Sequence, residues 1–234
     1  MTHSATSLHT NEFSRRANSY LKHNIIQEQV VKKLIQNIKT KPKNILDLGC
    51  GAGAVYHEIN WEIDKFTGID QAKNMCTLHP RDKKVILLEQ NFENENLLKN
   101  LGYFDMVISS SALQWANDIE KLIENISKIT DNIAFALFCD GTFNTIYKLT
   151  KMPNFLPNSE HILKILKKHF HIKHEKIIYR LNFKDNISKF RYIKQSGVSG
   201  GERKLTLTQT KSLIKNYPHT YLEFEVLFVW GKKI

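Results

Sequence analysis

The sequence is poor in cysteine and has no long apolar run. Its 234 residues include three cysteines, Cys50, Cys76 and Cys139, and no two of them have the spacing of a metal-binding pair. No stretch approaches the roughly 20 apolar residues that span a bilayer. The first 24 residues also lack the apolar centre of a secretory signal. These absences predict a cytoplasmic protein with no membrane partner and no metal site.

Acidic residues are also scarce relative to basic ones. The chain has 34 Lys and Arg against 23 Asp and Glu, a net charge of +11. A basic surface favours acidic partners such as nucleic acid, anionic lipid or an acidic protein, although a lysine-rich compositional bias produces the same excess. Because no RNA-binding motif is present and aromatic residues do not alternate with basic ones on a predicted strand, nucleic acid is the disfavoured partner.

The apolar residues predict alternating helices and strands. With 41% hydrophobic residues the chain can form one folded domain. Helical spacing predicts an amphipathic helix over 25–38. Short apolar runs predict strands over 44–48, 66–69, 85–88, 104–108 and 133–138, and the segments 53–60, 71–78 and 117–129 between them are predicted helices. This order indicates an α/β, Rossmann-like fold with a parallel sheet and helices on both faces.

The pattern changes after Asp140. Two helices are predicted around Pro153 and Pro157, then a strand over 172–183, helices over 185–195 and 209–216, and a final strand over 221–230. We therefore expect a seven-stranded, mostly parallel sheet with a helical lid insertion. The predicted organisation is one domain, 1–234, with N-terminal helices in 11–40, a cofactor-binding core in 43–138, and a lid and C-terminal strands in 141–234.

A glycine loop follows the first predicted strand. Asp47 precedes Gly49, Gly51 and Gly53, and glycines at the carboxyl end of a parallel strand let the backbone approach a ligand closely. Dinucleotide enzymes use G-x-G-x-x-G, whereas here the third glycine comes one residue early. Asp70 closes the second strand, where a carboxylate can accept hydrogen bonds from both ribose hydroxyls.

Residues 43–138 resemble the class I S-adenosylmethionine-dependent methyltransferases. The resemblance rests on the D-x-G-x-G-x-G pattern, on Asp70 and on Asn91-Phe92 after the third strand. It implies that Asp47 and the glycine loop hold the methionine part of the cofactor, Asp70 the ribose and Asn91 the adenine amine. The family usually has Asp at the position of Asn91. A carboxylate only accepts hydrogen bonds, whereas an amide both donates and accepts, so the hydrogen bonding to adenine differs here. The remaining predicted cofactor-binding residues are Gln27, Gln71, Met75, Phe92 and Ser109.

The flanking segments are similar to the malonyl-acyl-carrier-protein O-methyltransferases of biotin synthesis. The segment from Phe13 to Tyr20 resembles F-S-R-A-A-x-x-Y, and Ser109–Trp115 resembles S-N-L-A-L-Q-W. Residues 191–197 and 205–208 follow in the expected order. Leu21 and Ser110 depart from the family pattern, which has Asp and Asn there. The resemblance implies methyl transfer to the free carboxylate of a malonyl thioester, with malonyl-acyl carrier protein as substrate and partner.

This chemistry needs positioning rather than acid–base catalysis. A carboxylate is already ionised near neutral pH, so no general base is required. Arg191 can bind a carboxylate with two parallel hydrogen bonds or be a solvated residue on a helix face, with Lys194 and Arg15 as further candidate cations. Tyr20 either closes the pocket or packs as an ordinary aromatic residue. A lysine run is either a rim that attracts the acidic carrier protein or a face that binds nothing; its members are Lys164, Lys167, Lys168, Lys173 and Lys176.

Other functions are compatible with the same core. One is methylation of a small free carboxylic acid, such as a tricarboxylate. A second is an RNA-directed methyltransferase, or a nucleic-acid-binding protein with a methyltransferase-like core. A third is a cofactor-binding regulator without catalysis, which only Asn91 favours.

Overall fold

The computed structural model describes residues 24–196 and 206–234 as alternating strands and helices. The strands are β1 (Asn44–Leu48), β2 (Lys65–Asp70), β3 (Val85–Glu89), β4 (Met106–Ser110), β5 (Asn132–Phe138), β6 (Phe170–Asn182) and β7 (Tyr221–Lys233). The helices are α1 (Ile25–Asn37), α2 (Ala54–Glu58), α3 (Lys73–Leu78), α4 (Glu95–Asn100), α5 (Ile119–Ile126), α6 (Asn144–Thr150), α7 (Ser159–Leu166), α8 (Asn186–Ser196) and α9 (Leu207–Asn216). A 3₁₀ turn, Leu113–Trp115, follows β4.

The seven strands form a single sheet in the order β3-β2-β1-β4-β5-β7-β6. The neighbours among β1 to β5 are parallel, and β7 runs antiparallel to both β5 and β6. The predicted seven-stranded, mostly parallel sheet is therefore confirmed. The strand order reverses between β1 and β4, and ligands of such sheets bind beyond the carboxyl ends of the strands at that reversal.

The sheet is covered on both faces, as its apolar sequence requires. On one face Val30 and Leu34 of α1 are fully buried in the same apolar cluster as Ile45 and Ala134. On the other face α5 and α7 pack in a second apolar cluster that contains Leu46, Val107 and Phe135 of the sheet. Strands buried on both sides read as continuous apolar runs rather than as alternating ones. This is why β1 and β5 were recognisable from the sequence.

Two short elements were missed by the sequence prediction. Helix α4 is six residues long, and it is capped by the preceding Asn94, whose Oδ1 accepts a hydrogen bond from the N–H of Leu97 at 3.1 Å. The 3₁₀ turn is only three residues long. Neither is long enough to show a helical period. Strand β7 also runs past its predicted end, because Gly231 still pairs with Ile172 of β6.

Helices α6, α8 and α9, called the cap below, lie beside the carboxyl end of β5. Glu223 of β7 accepts hydrogen bonds from the N–H of Thr145 in α6 and from the hydroxyl of Tyr217, which follows α9. Lys189 of α8 is fully buried, donates to the carbonyl oxygen of His219 and lies 4.2 Å from the centre of the Tyr217 ring. Buried charges with such partners fix the position of the three helices against β7.

Within residues 24–196 and 206–234, no helix is long and apolar enough to cross a bilayer. No group of three or more His, Cys, Asp and Glu side chains in those residues could hold a metal ion.

Candidate active site

The glycine loop connects β1 to α2 with a backbone that favours glycine. Gly49, Gly51 and Gly53 have φ angles of 76°, 51° and 87°. These values lie in the left-handed region, which side chains disfavour. A Cβ atom on Gly49 would lie 2.2 Å from the Cβ of Ala112, in the segment after β4. The loop therefore packs directly against that segment at the reversal of strand order.

Asp70, the last residue of β2, holds this loop. Its Oδ2 accepts a hydrogen bond from the N–H of Gly51 at 2.9 Å, and its Oδ1 accepts one from Ala72 at 2.8 Å. Burial raises the pKa of Asp70, while the two backbone hydrogen bonds lower it. Each carboxylate oxygen keeps a further lone pair, so Asp70 can still accept the ribose hydroxyls predicted for it.

Asp47 is fully buried at the carboxyl half of β1. Neither of its carboxylate oxygens has a hydrogen-bond partner within the described part of the chain. Burial raises the pKa of Asp47 well above its ordinary value, and the charge of Asp70 raises it further. Because a buried carboxylate without partners is costly, this site fits a ligand that brings a positive charge.

Three other predicted cofactor residues are Met75, Phe92 and Gln27. The first two lie beside the loop, and the third has an unpaired side-chain oxygen. The Cε of Met75 lies 3.3 Å from the position of a Cβ on Gly51, and Cε1 of Phe92 lies 3.9 Å from that on Gly49. Gln27 of α1 is buried, and its Oε1 has no hydrogen-bond partner among the residues described. The orphaned oxygens of Gln27 and Asp47, together with the open glycine loop, fit a cofactor with a cationic amino acid part.

The remaining predicted cofactor residues have specific local roles. Asn91 Oδ1 accepts a hydrogen bond from the N–H of Glu93 at 2.9 Å, which leaves the amide N–H groups available to donate. The Ser109 hydroxyl donates to the carbonyl oxygen of Leu48 at 2.6 Å and so joins β4 to β1. Gln71 follows Asp70 and is partly exposed. The ligand contacts of all three residues stay predictions.

His79 lies against the loop and was not identified from the sequence. Its ring atoms lie 3.0–3.1 Å from the position of a Cβ on Gly53, and the residue is only 2% exposed. Nδ1 is 2.9 Å from the carbonyl oxygen of Pro80, which can only accept, so Nδ1 carries the proton. Burial lowers the pKa of His79 and keeps the ring neutral. Only the tertiary packing of α3 against the loop reveals this contact.

Two of the three cysteines lie near the glycine loop, and the Sγ of Cys76 donates to the carbonyl oxygen of Asp70 at 3.5 Å. Cys50 lies inside the loop and Cys76 on α3, and both are buried. A hydrogen bond with Cys76, together with burial, raises the pKa of the Cys50 thiol. Cys50 therefore stays protonated and is a small packing residue rather than a nucleophile.

An aromatic cluster lies beside the loop on the side of β4 and β5. The rings of Trp115 and Phe155 are stacked with centroids 5.8 Å apart, and Tyr147 of α6 meets Phe155 edge-on at 6.3 Å. Burial raises the pKa of Tyr147 to about 12, so its hydroxyl stays neutral. Phe155 is 46% exposed. This aromatic cluster forms an apolar surface that includes Trp115, which lies in the same segment as Ala112, the residue packed against Gly49.

The predicted substrate-binding residues are only partly described. Tyr20 and Arg15 lie outside the described residues, as does the side chain of Lys194. Arg191 is exposed on α8. The structure does not bring it into contact with the glycine loop, so its role in binding the substrate stays a prediction.

The lysine run does not lie on the cap. Lys164 is on α7, which packs on the opposite face of the sheet from α8 and α9. Lys168, just after α7, forms an ion pair with Glu120, and Lys173 and Lys176 are on β6. This run therefore lies on α7 and β6 rather than on the cap, and its role as a rim for the carrier protein stays a prediction. Exposed cations do occur on the cap or directly beside it: Lys148, Lys151, Lys184, Arg191, Lys211 and Lys215.

Comparisons with known proteins bear on this geometry. A family profile described as "Methyltransferase domain" matches residues 46–132. A malonyl-[acyl-carrier protein] O-methyltransferase of Acetivibrio thermocellus is 27% identical, over 89% of this chain and 85% of its own length. One from Geobacter sulfurreducens is 28% identical over 58% of this chain, and the match spans about half, 55%, of that relative. The human mitochondrial protein named arginine-hydroxylase NDUFAF5 is 29% identical over 55% of this chain and 38% of its own length.

Solved structures share the fold. The YcgJ protein of Bacillus subtilis superposes with a TM-score of 0.65 at 13% identity, covering 88% of this chain and 98% of that one. At this identity the likeness concerns the fold alone. The profile match covers β1, the glycine loop, Asp70 and the segment after β4, which are the elements that surround the orphaned Asp47.

Proposed function

Because this chain is a class I S-adenosylmethionine-dependent methyltransferase, we propose that it methylates the free carboxylate of a malonyl thioester on an acyl carrier protein, an early step of biotin synthesis. One observation carries the proposal. Similarity to the A. thermocellus relative of that activity extends over 89% of this chain, well beyond the cofactor-binding core. The resemblance of the segments before β1 and after β4 supports the same acceptor.

The residues around the glycine loop are suited to bind S-adenosylmethionine. S-adenosylmethionine supplies a methyl group on a sulfonium and carries a cationic amino group, and both charges complement the buried carboxylate of Asp47. Asp70 accepts the ribose hydroxyls with its remaining lone pairs, while its hydrogen bond to Gly51 keeps the loop in place. The role of these residues is to bind and orient.

The acceptor needs no proton removed before it attacks. A carboxylate is ionised at neutral pH, so the enzyme has to align it with the methyl group and exclude water. Such positioning contributes up to about 7–11 kcal/mol to lowering a barrier. The aromatic cluster of Trp115, Tyr147 and Phe155 provides an apolar surface for that purpose. Tyr20 and Arg191 are proposed to position the substrate.

An acidic carrier protein suits the charge of the cap. Lys148 and Lys151 flank the end of α6, close in sequence to Tyr147 of the aromatic cluster, and both are exposed. Arg191 and Lys211 extend the positive charge over α8 and α9. Complementary charge of this kind raises the rate of encounter more than the final affinity. We therefore propose that the carrier protein docks on the cap.

Methyl-transfer assays with different acceptors test this function. The purified protein is incubated with methyl-labelled S-adenosylmethionine and malonyl-carrier protein, acetyl-carrier protein, free malonate, a tricarboxylate or RNA. We expect a labelled methyl ester on malonyl-carrier protein and none on acetyl-carrier protein, which has no free carboxylate. Label on a free acid alone would favour a small-acid methyltransferase, and label on RNA alone would refute a carboxylate acceptor. Restored growth without biotin in a host that lacks this activity would place the reaction in biotin synthesis.

A further inference from the structure

The last residue of β4 and the segment that follows it combine a strained backbone with unpaired buried hydroxyl groups. Ser111 has a φ angle of 61°, in the left-handed region that non-glycine residues rarely adopt. Within the described part of the chain, the hydroxyls of Ser110 and Ser111 are buried and have no hydrogen-bond partner. The Oε1 of Gln114 is also buried and unpaired there, while its Nε2 donates to the carbonyl oxygen of Ser111 at 2.8 Å. Strain and orphaned polar atoms together are typical of a ligand site.

This segment lies next to the cofactor loop. The Cβ of Ala112 lies only 2.2 Å from the position of a Cβ on Gly49, so nothing separates the two segments. The N–H of Ser111 donates to the carbonyl oxygen of Ala136 in β5 at 2.8 Å, which fixes its backbone. On the other side the chain continues directly to Trp115 in the aromatic cluster. Ser110 and Ser111 therefore directly precede Ala112, the residue that packs on the cofactor loop, and Trp115 of the apolar surface proposed for the acceptor follows in the same segment.

We propose that the hydroxyls of Ser110 and Ser111 bind the acceptor carboxylate, an inference that rests on the proposed function. Each hydroxyl has one hydrogen to donate, and a carboxylate has two oxygens to accept them. Hydrogen bonds to a charged acceptor are the stronger ones, and they are stronger still where water is excluded. Arg191, the cation predicted from the sequence, is exposed. Solvent weakens its attraction for a carboxylate, whereas the two serines are in place to orient the carboxylate beside the cofactor.

The two serines also distinguish this chain from the S-N-L-A-L-Q-W pattern. Ser110 stands at the position of Asn, and Ser111 at that of Leu. A leucine has no hydrogen to donate, so the second hydroxyl is a property of this sequence.

Two substitutions separate ligand binding from a structural role. Ser110→Ala removes one hydroxyl. Ser111→Gly removes the other and relieves the backbone, since glycine adopts a positive φ without strain. We expect each to raise the KM for malonyl-carrier protein at least tenfold, the double variant to raise it further, and the Kd for S-adenosylmethionine to stay within twofold. A purely structural role of Ser111 predicts the reverse: unchanged KM and equal or higher thermal stability for Ser111→Gly.

Ser127→Ala is the matched control, because its hydroxyl already donates to the carbonyl oxygen of Glu124 at 2.7 Å, at the end of α5. It should leave the KM unchanged. Arg191→Ala, measured in parallel, should raise the KM less than either serine variant. A larger effect of Arg191→Ala than of both serine variants would overturn the proposal.

The outcomes for the function and for the serines are distinguishable. If the wild-type protein methylates malonyl-carrier protein and the serine variants keep its KM, the inference is refuted and the function stands. If the wild type methylates only a small free acid, the proposed function is refuted, and the same variants must raise the KM for that acid or the inference fails as well. If no carboxylate is methylated, both fail.

Discussion

The carboxylate of Asp70 holds the N–H of Gly51 at 2.9 Å, which couples the end of β2 to the middle of the glycine loop. Its second oxygen caps the N–H of Ala72 at 2.8 Å. The residue predicted to bind the ribose therefore also sets the shape of the loop that holds the methionine part. Ligand contact and loop geometry depend on the same side chain.

Loss of Asp70 should weaken cofactor binding strongly. Asp70→Ala removes the acceptor for the ribose hydroxyls and frees the Gly51 N–H, so we expect a loss of about 1.5–3 kcal/mol in binding free energy. Asp64→Ala, at an exposed position just before β2, is the control and should bind normally. Isothermal titration calorimetry with S-adenosylmethionine measures both. An unchanged affinity for Asp70→Ala would show that the ribose binds elsewhere.

The close approach of Gly49 to Ala112 should make this glycine irreplaceable. Gly49→Ala places a Cβ 2.2 Å from a Cβ that is attached to backbone, so either the loop or the segment after β4 must move. Overpacking of this kind costs about 1–3 kcal/mol, in addition to the strain of a positive φ. We expect at least a tenfold weaker affinity for the cofactor.

Gly102→Ala is a matched control for this prediction, since Gly102 has a φ of 83° but open space around its Cβ position. It should cost only the strain of about 1–2 kcal/mol in stability and leave cofactor binding intact. Thermal denaturation and cofactor titration of both variants measure the difference. Equal behaviour of the two variants would mean that the contact with Ala112 is unimportant.

Asp47 should make cofactor binding depend on pH. Burial raises its pKa above the ordinary 3.8, so the free protein binds a proton there that a cationic ligand displaces. Affinity should therefore rise with pH up to the raised pKa and level off above it, with proton release on binding. Calorimetry in buffers of different ionisation enthalpy measures that release, and Asp47→Asn should abolish it. A slope that persists in Asp47→Asn would assign it to another group, and Asp70, whose pKa burial also raises, is the first candidate.

The raised pKa of Asp47 also predicts how the stability of the cofactor-free protein depends on pH. A carboxyl group whose pKa is raised by folding binds its proton more tightly in the native state, so the free energy of unfolding falls as pH rises from about 3.8 to the raised pKa. At neutral pH, Asp47→Asn should be more stable than the wild type without cofactor. Thermal melts across pH check this. A less stable Asp47→Asn at neutral pH would mean that the carboxylate has a favourable partner.

Carrier-protein docking should depend on charge at the cap. Replacing Lys148, Lys151 and Lys211 with Glu should lower kcat/KM for malonyl-carrier protein. The wild-type kcat/KM should also fall as salt rises, because the electrostatic screening length is only about 8 Å at physiological ionic strength. Activity on a small malonyl thioester should change little. Reversal of Lys164, Lys167 and Lys173, outside the cap, is the control. A larger loss in the control than in the cap variant would place the docking surface on α7 and β6.

Much of the fold could be predicted from the sequence because it depends on local patterns. The apolar runs that become β1 and β5 are continuous since both faces of those strands are buried. Asp47, the three glycines and Asp70 lie at or just after the carboxyl ends of strands. The carboxyl ends of parallel strands meet at one edge of a sheet, so the sequence alone predicts the cofactor site.

The positions of basic residues in the sequence were less informative about where the acceptor binds. Lysines are closely spaced in the sequence between Lys164 and Lys176. However, α7 packs on the face of the sheet opposite α8 and α9, so these lysines do not lie on the cap. The resemblance of residues 191–197 to the family segment favours Arg191 as the cation, and the structure places it on an exposed surface. Neither burial nor the direction of a helix face can be read from a count of charges.

The sequence by itself determined the order of strands and helices, the glycine loop and the acid at the end of β2, because each follows from hydrophobic period and local backbone geometry. Only the tertiary structure decided which atoms are left without partners. Ser110, Ser111 and His79 lie in segments whose neighbours come from distant parts of the chain, Ala136 and Gly53 among them. A hydroxyl or ring nitrogen becomes a candidate ligand group only when folding buries it and removes water, and that is decided by long-range packing rather than by its neighbours in sequence.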